Sequence, residues 1–141
     1  MRNYTIAGAS IGVALTTSVL DFVWLGLVSP AFYQSQLGPM LLPQPNLIPA
    51  LAFYVLYVAG LMVFCVTPAL ALASWRKAAL LGAMFGLVAY GTYDLSNLAT
   101  LKGWTVNVAI VDMLWGSALS ASASCCGYFC GGWFKRSRKN G

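Results

Sequence analysis

Three carboxylic acids, Asp21, Asp94 and Asp112, make up the whole acidic complement of this 141-residue chain, and each lies inside a long apolar run. A charged group in hydrocarbon is costly and marks a functional site by default. Counting helical rise from the ends of those runs puts Asp21 and Asp94 ~25 Å up their helices and Asp112 ~10 Å below the top of the last one, so all three share one depth in a ~30 Å core. No Lys or Arg falls in that layer, and Lys102, at its outer surface, is nearest. The carboxyl groups are therefore expected to be protonated, hydrated, or matched by something the chain does not supply: a proton, a cation or a small polar ligand with donor groups. Intramembrane carboxyls also serve as hydrogen-bonding glue between helices, worth ~1 kcal/mol each, but glue gives no reason for a common depth.

Other chemistry is scarce. The chain has no His, which removes the commonest general base and metal ligand. No metal set, cofactor motif or nucleotide loop appears. Cys125, Cys126 and Cys130 follow no usual zinc spacing; with Cys65 they read as small buried residues or free thiols. The net charge of +5 comes from residues at helix ends and in a tail, without the basic and aromatic stripe of a nucleic-acid surface, so no nucleic-acid partner is expected.

The elements that must position the acids follow from composition. The chain is 60% hydrophobic and 8% charged, too few charges to cover a water-facing surface. Membrane lipid is the partner that this composition demands. Runs of about 20 apolar residues cross a bilayer as helices, and four occur, over about 4–28, 49–73, 77–101 and 105–134, followed by a basic tail, 135–141. The fold class expected is an all-α integral membrane four-helix bundle, in a single domain. The first run is too long for a signal-peptide core, and no small-x-small cleavage site follows it. Arg2, Arg76, Lys77, Lys135, Arg136, Arg138 and Lys139 share one face and only Lys102 lies on the other. Basic residues beside spans stay on the cytoplasmic side, so both termini are expected inside, in a bacterial inner membrane.

Positions three, four and seven apart share a helix face. On the third span Gly82, Gly86, Tyr90, Tyr93 and Asn97 form one stripe with Asp94 at its edge. Asp112, Gly116, Ala123 and Gly127 align on the fourth, and Ser10, Thr17, Asp21 and Trp24 on the first. Small residues allow close helix approach, so the bundle should be tight near the termini and open outward into a polar pocket. Tyr54 and Tyr57 reach that depth, and the expected ligand-binding set is Asp21, Asp94, Asp112, Asn97, Tyr54, Tyr57, Tyr90, Tyr93, Trp24 and Trp115. The first outer loop, Ser29 to Ile48, is proline-rich and long for a bundle connection. Ser29 as N-cap, Pro30 at the first helical position and a stop at Gly38-Pro39 predict a short interfacial helix, Pro30 to Leu37, covering the outer mouth. Pro68 should loosen the second span near Phe64.

The blocks Leu20-Asp21-Phe22-Val23-Trp24-Leu25-Gly26, Phe32-Tyr33 with Gln36-Leu37-Gly38, Tyr90-Gly91-Thr92-Tyr93-Asp94-Leu95-Ser96-Asn97-Leu98-Ala99-Thr100-Leu101 and Val111-Asp112-Met113-Leu114-Trp115-Gly116 resemble the bacterial membrane family catalogued as domain of unknown function 2177. The resemblance runs from about Ser10 to Ser120, leaving out the Cys-bearing end and the tail. It implies a four-helix inner-membrane protein and a link to membrane-lipid or stress physiology, with no activity to carry over. Three functions stay open: a pocket that binds or passes a proton, cation or polar ligand; an accessory or structural subunit, in a homodimer or larger membrane complex; and an enzyme acting on lipid through paired carboxylates, for which no electrophile or cofactor is evident.

Overall fold

The apolar runs are helices in the computed structural model, which describes residues 3–137 and, for Tyr4 and residues 134–137, the backbone alone. Helix α1 (Asn3–Val23) continues through a π-helical turn, Trp24–Val28. The short α2 (Pro30–Leu37) and a 3-10 turn, Gly38–Met40, follow. The second span is α3 (Leu47–Leu61), a π-helical turn (Met62–Val66) and α4 (Thr67–Ala71) in series. Helices α5 (Trp75–Thr100) and α6 (Val106–Ser137) complete the bundle. Four segments are long and apolar enough to cross a membrane, and no strand occurs among the described residues. The protein is an all-α membrane bundle. The first part of the basic tail continues α6, while Arg2, Arg138 and Lys139 lie outside the described residues.

Caps set the helix starts. Asn46 accepts from the Ile48 amide at 3.2 Å, Ser74 from Lys77 at 3.3 Å and Thr105 from Val108 at 3.2 Å. Each satisfies an amide that has no partner inside its own helix. Ser29 behaves differently from the expected N-cap: its hydroxyl donates backward to the Trp24 carbonyl at 2.8 Å, and its amide donates there too. It closes the π-helical turn of α1 instead of capping α2. Pro68 acts as predicted. Its ring would collide with the carbonyl four residues back, Phe64, and the helix widens over Met62–Val66, with the Thr67 amide reaching the Met62 carbonyl.

Helix α6 is central and packs along both α1 and α5. Little hydrophobic force drives helices together in lipid, so close van der Waals packing has to hold them. A Cβ on Gly86 would strike the Gly116 carbonyl, and one on Gly82 would sit 2.5 Å from the Ser120 carbonyl. Toward the termini a Cβ on Gly127 would meet Val13 at 2.5 Å. Helix α3 joins this core through Tyr57, Leu61 and the residues of its π-helical turn, against Ala9, Val13 and Ala123.

Candidate functional site

Two hydrogen-bond networks hold two of the three buried acids, Asp21 and Asp112. In one, the Tyr54 hydroxyl donates to Asp21 Oδ2 at 2.7 Å and the Trp115 indole Nε1 to Asp21 Oδ1 at 3.1 Å, joining α1, α3 and α6. In the other, Trp24 Nε1 donates to the Tyr33 hydroxyl at 3.1 Å, which in turn donates to Asp112 Oδ1. Trp24 and Trp115 stack at 4.5 Å and lock the two networks side by side. Burial, and then the bond to Asp112, raises the Tyr33 hydroxyl above the ordinary phenol range, so it remains a protonated donor in neutral and mildly alkaline solution.

Between these networks lies a cleft of about 550 Å³ lined by Asp21, Trp24, Leu25, Tyr33, Leu37, Leu41, Phe53, Ala89, Tyr90, Tyr93, Trp104, Asp112 and Trp115. Its volume is in the range of small-molecule sites. The expected polar pocket is instead an aromatic and aliphatic one, with two carboxyl groups set in its wall. Asp112 is 7% exposed, and nothing among the described residues donates to its Oδ2. The Tyr90 and Tyr93 hydroxyls on the same lining also have no hydrogen-bond partner among those residues. No Lys or Arg belongs to the lining.

The structure divides the ligand-binding set. Asp21, Asp112, Trp24, Trp115, Tyr90 and Tyr93 line the cleft; Asp94, Asn97, Tyr54 and Tyr57 do not. Tyr54 acts from behind, through Asp21. Tyr57 lies deeper, bonded to Ser120 at 2.5 Å and packed against Tyr90 and Phe85. Asp94 is not at the edge of its stripe: it is fully buried, whereas Tyr93 is largely exposed and Asn97 partly so. Neither Asp94 oxygen meets a donor in bonding geometry, although Asp112 and the equally unbonded Trp104 indole N–H are its electrostatic neighbours.

Tyr33 and Trp104 are the residues that residue-by-residue reading missed. Tyr33 sits in the outer loop and reaches its partner 79 positions away. Trp104 reads as an interfacial aromatic, yet its ring lines the cleft and meets Tyr93 edge-on at 5.4 Å. The one signal for Tyr33 was its place in a conspicuous block, Phe32-Tyr33.

A family model described as "Predicted membrane protein (DUF2177)" matches residues 6–129, which include every residue of the cleft. The chain belongs to this family. The match extends past Ser120 and takes in Cys125 and Cys126, leaving residues 1–5 and, from Cys130 on, the basic end outside it. No curated protein and no solved structure matches the chain.

Proposed function

We propose that this protein binds a small positively charged molecule in the cleft. The observation that carries the reading is Asp112: nine-tenths buried, on the cleft wall, with one oxygen held by Tyr33 and the other without a donor among the described residues. Asp21 stands on the same wall, and no basic side chain of the lining answers either carboxyl group. A cation seated there offsets the cost of an ionised carboxylate in an apolar surround. The aromatic faces around it add cation–π attraction, ~2 kcal/mol for a desolvated cation.

Three cleft tryptophans, Trp24, Trp104 and Trp115, make the reading testable by fluorescence. The full chain in lipid nanodiscs should respond saturably to simple alkylammonium ions, and Asp112→Asn should weaken that response by about tenfold or more. An unchanged spectrum across the series, or an unaffected Asp112→Asn, rejects the reading. The proposed setting is a bacterial inner membrane with both termini cytoplasmic, supported by Arg76, Lys77, Lys135 and Arg136 at one end of the bundle against Lys102 at the other. Reporter fusions at the C-terminus and in the Lys102 turn test that orientation.

A further inference from the structure

Both ends of the cleft are closed and one flank is open, and the difference bears on what kind of cation fits. At the loop end α2 and its 3-10 turn lie across the bundle as a cover. Two hydrogen bonds pin it to α6 and to the α5–α6 turn, Tyr33 on Asp112 and Thr105 donating to Gln36 at 2.9 Å, and a Cβ on Gly103 would meet the Met40 sulfur at 3.5 Å. Leu37, 4% exposed, is pressed into the cleft from this cover. Toward the termini the floor is closed by Tyr57 against Phe85 and Tyr90.

The flank is open instead. Leu25, Phe53 and Tyr93 line the cleft yet are 52%, 44% and 53% exposed, and all three belong to segments that cross the membrane. In the membrane setting proposed above, this flank faces lipid. Above its π-helical turn α3 has few contacts with the rest of the bundle, while the turn itself packs on α5 and α6. The gap between α3 and α5 at the level of Phe53 and Tyr93 is therefore a side entrance from the bilayer. Inside, apolar and aromatic walls lead to the free oxygen of Asp112.

We infer that the ligand is an amphiphilic organic ammonium, one charged amine on an apolar body, which enters sideways from the membrane between α3 and α5. This rests on the reading that the cleft binds a cation. The amine sits against Asp112 and Asp21 among the rings of Trp24, Trp115 and Tyr90. The apolar body lies along Leu25, Phe53 and Tyr93 with its end in lipid. The lining holds no side chain that would pair with an anionic group, so a compound carrying its own phosphate gains nothing there from the protein.

The test uses the full chain in phosphatidylcholine nanodiscs, with decylammonium, butylammonium and decanol as probes and tryptophan fluorescence as readout. Decylammonium should saturate the signal at a bulk concentration at least about tenfold below butylammonium, because the chain concentrates it in the membrane from which the cleft opens. Decanol, with the same chain and no charge, should give no saturable change. Ala89→Phe, which fills the wall, and Asp112→Asn should each abolish or weaken the decylammonium response about tenfold, with helicity by circular dichroism checking that both variants fold. Equal responses to decylammonium and butylammonium would overturn the amphiphile while leaving the cation reading intact. No response to either amine, or a decanol response equal to that of decylammonium, would overturn both. Adding phosphatidylethanolamine to the nanodisc tests the exclusion of phosphate: competition with decylammonium by this phosphate-bearing amine would overturn the assignment, and its absence supports a free amphiphilic amine.

Discussion

Replacing Tyr33 with phenylalanine removes a single hydroxyl and two hydrogen bonds, the donation to Asp112 and the acceptance from Trp24. The ring itself stays. Hydrogen bonds to charged acceptors contribute ~1.5–3 kcal/mol in water-soluble proteins, whereas those between membrane helices average ~0.6 and reach ~1.7 kcal/mol. Asp112 is 7% exposed, so little water is at hand to replace the lost donor, and Trp24 Nε1 loses its acceptor as well. The loss therefore belongs at the upper end of the membrane range, about 1–2 kcal/mol. The contact of Gln36 with Thr105 survives the change, so the cover loosens while the bundle stays intact. That energy raises the open population of the cover about 5–30-fold. Hydrogen exchange of the α2 amides, in nanodiscs, should accelerate by the same factor, with the amides at the Gly86 and Gly116 crossing unchanged. Exchange within about twofold of the parent would refute the claim that this bond holds the cover, and equal acceleration in every helix would place the damage elsewhere.

Other substitutions probe separate parts of the structure. Gly86→Ala must push the Gly116 carbonyl away and should cost a net ~1–2 kcal/mol, overpacking outweighing the better helix propensity of alanine; Gly132→Ala, with nothing within 4 Å, should stabilise by ~0.5–1 kcal/mol. Equilibrium unfolding in mixed micelles measures both. Ala73 holds the left-handed backbone (φ 49°) between α4 and α5, so Ala73→Gly should stabilise by ~1 kcal/mol in the same assay. Asp21→Leu strands the Tyr54 and Trp115 donors and should cost ~1–3 kcal/mol, with Asp21→Asn, which keeps an acceptor, losing clearly less.

Much of this was legible in the chain because lipid simplifies the code. A span has to be apolar along its length, so four runs could be counted, and an acid inside one stands out against everything around it. Asp21 and Asp112 were found that way. Asp94 escapes a straight helical wheel because α5 crosses its neighbour. The buried ridge of α5 runs Ala78, Gly82, Gly86 and on to Asp94 in steps of four, each of which drifts ~40° from a straight stripe. Tyr93 and Asn97 are left toward the outside. The cleft is less polar than its Tyr and Trp content suggests for a related reason: the polar groups of Trp24, Tyr33, Tyr54 and Trp115 are spent on Asp21, Asp112 and each other, and their ring faces remain, although the Tyr90 and Tyr93 hydroxyls stay unbonded among the described residues. Tyr33 lay beyond local pattern, since no periodicity relates a loop residue to a helix 79 positions away.

Pro68 gains a purpose from the packing around it. At the π-helical turn the second span is held tightly: Leu61 just before it, Met62, Cys65 and Val66 within it and Ala69 just after it are all buried. Farther along α3, over residues 47–60, Tyr57 is the one buried residue, and Leu51, Phe53, Val55 and Leu56 are exposed. A π-helical turn inserts an extra residue into the helical repeat, so the face that packs on α5 and α6 at the turn rotates away along α3, where Tyr57 still reaches Phe85, Tyr90 and Ser120 but Phe53 is left exposed. The proline that forces this turn is thereby coupled to the gap between Phe53 and Tyr93. A regular helix through Met62–Val66 would carry the packed face of the lower half upward and bring it against α5, narrowing the side entrance. Pro68→Ala should do so in proportion to how far the turn relaxes, and accessibility of a cysteine placed at Phe53 to a lipid-soluble thiol reagent would report it; unchanged labelling would show that the gap is set by the aromatic side chains and not by the helix that carries them.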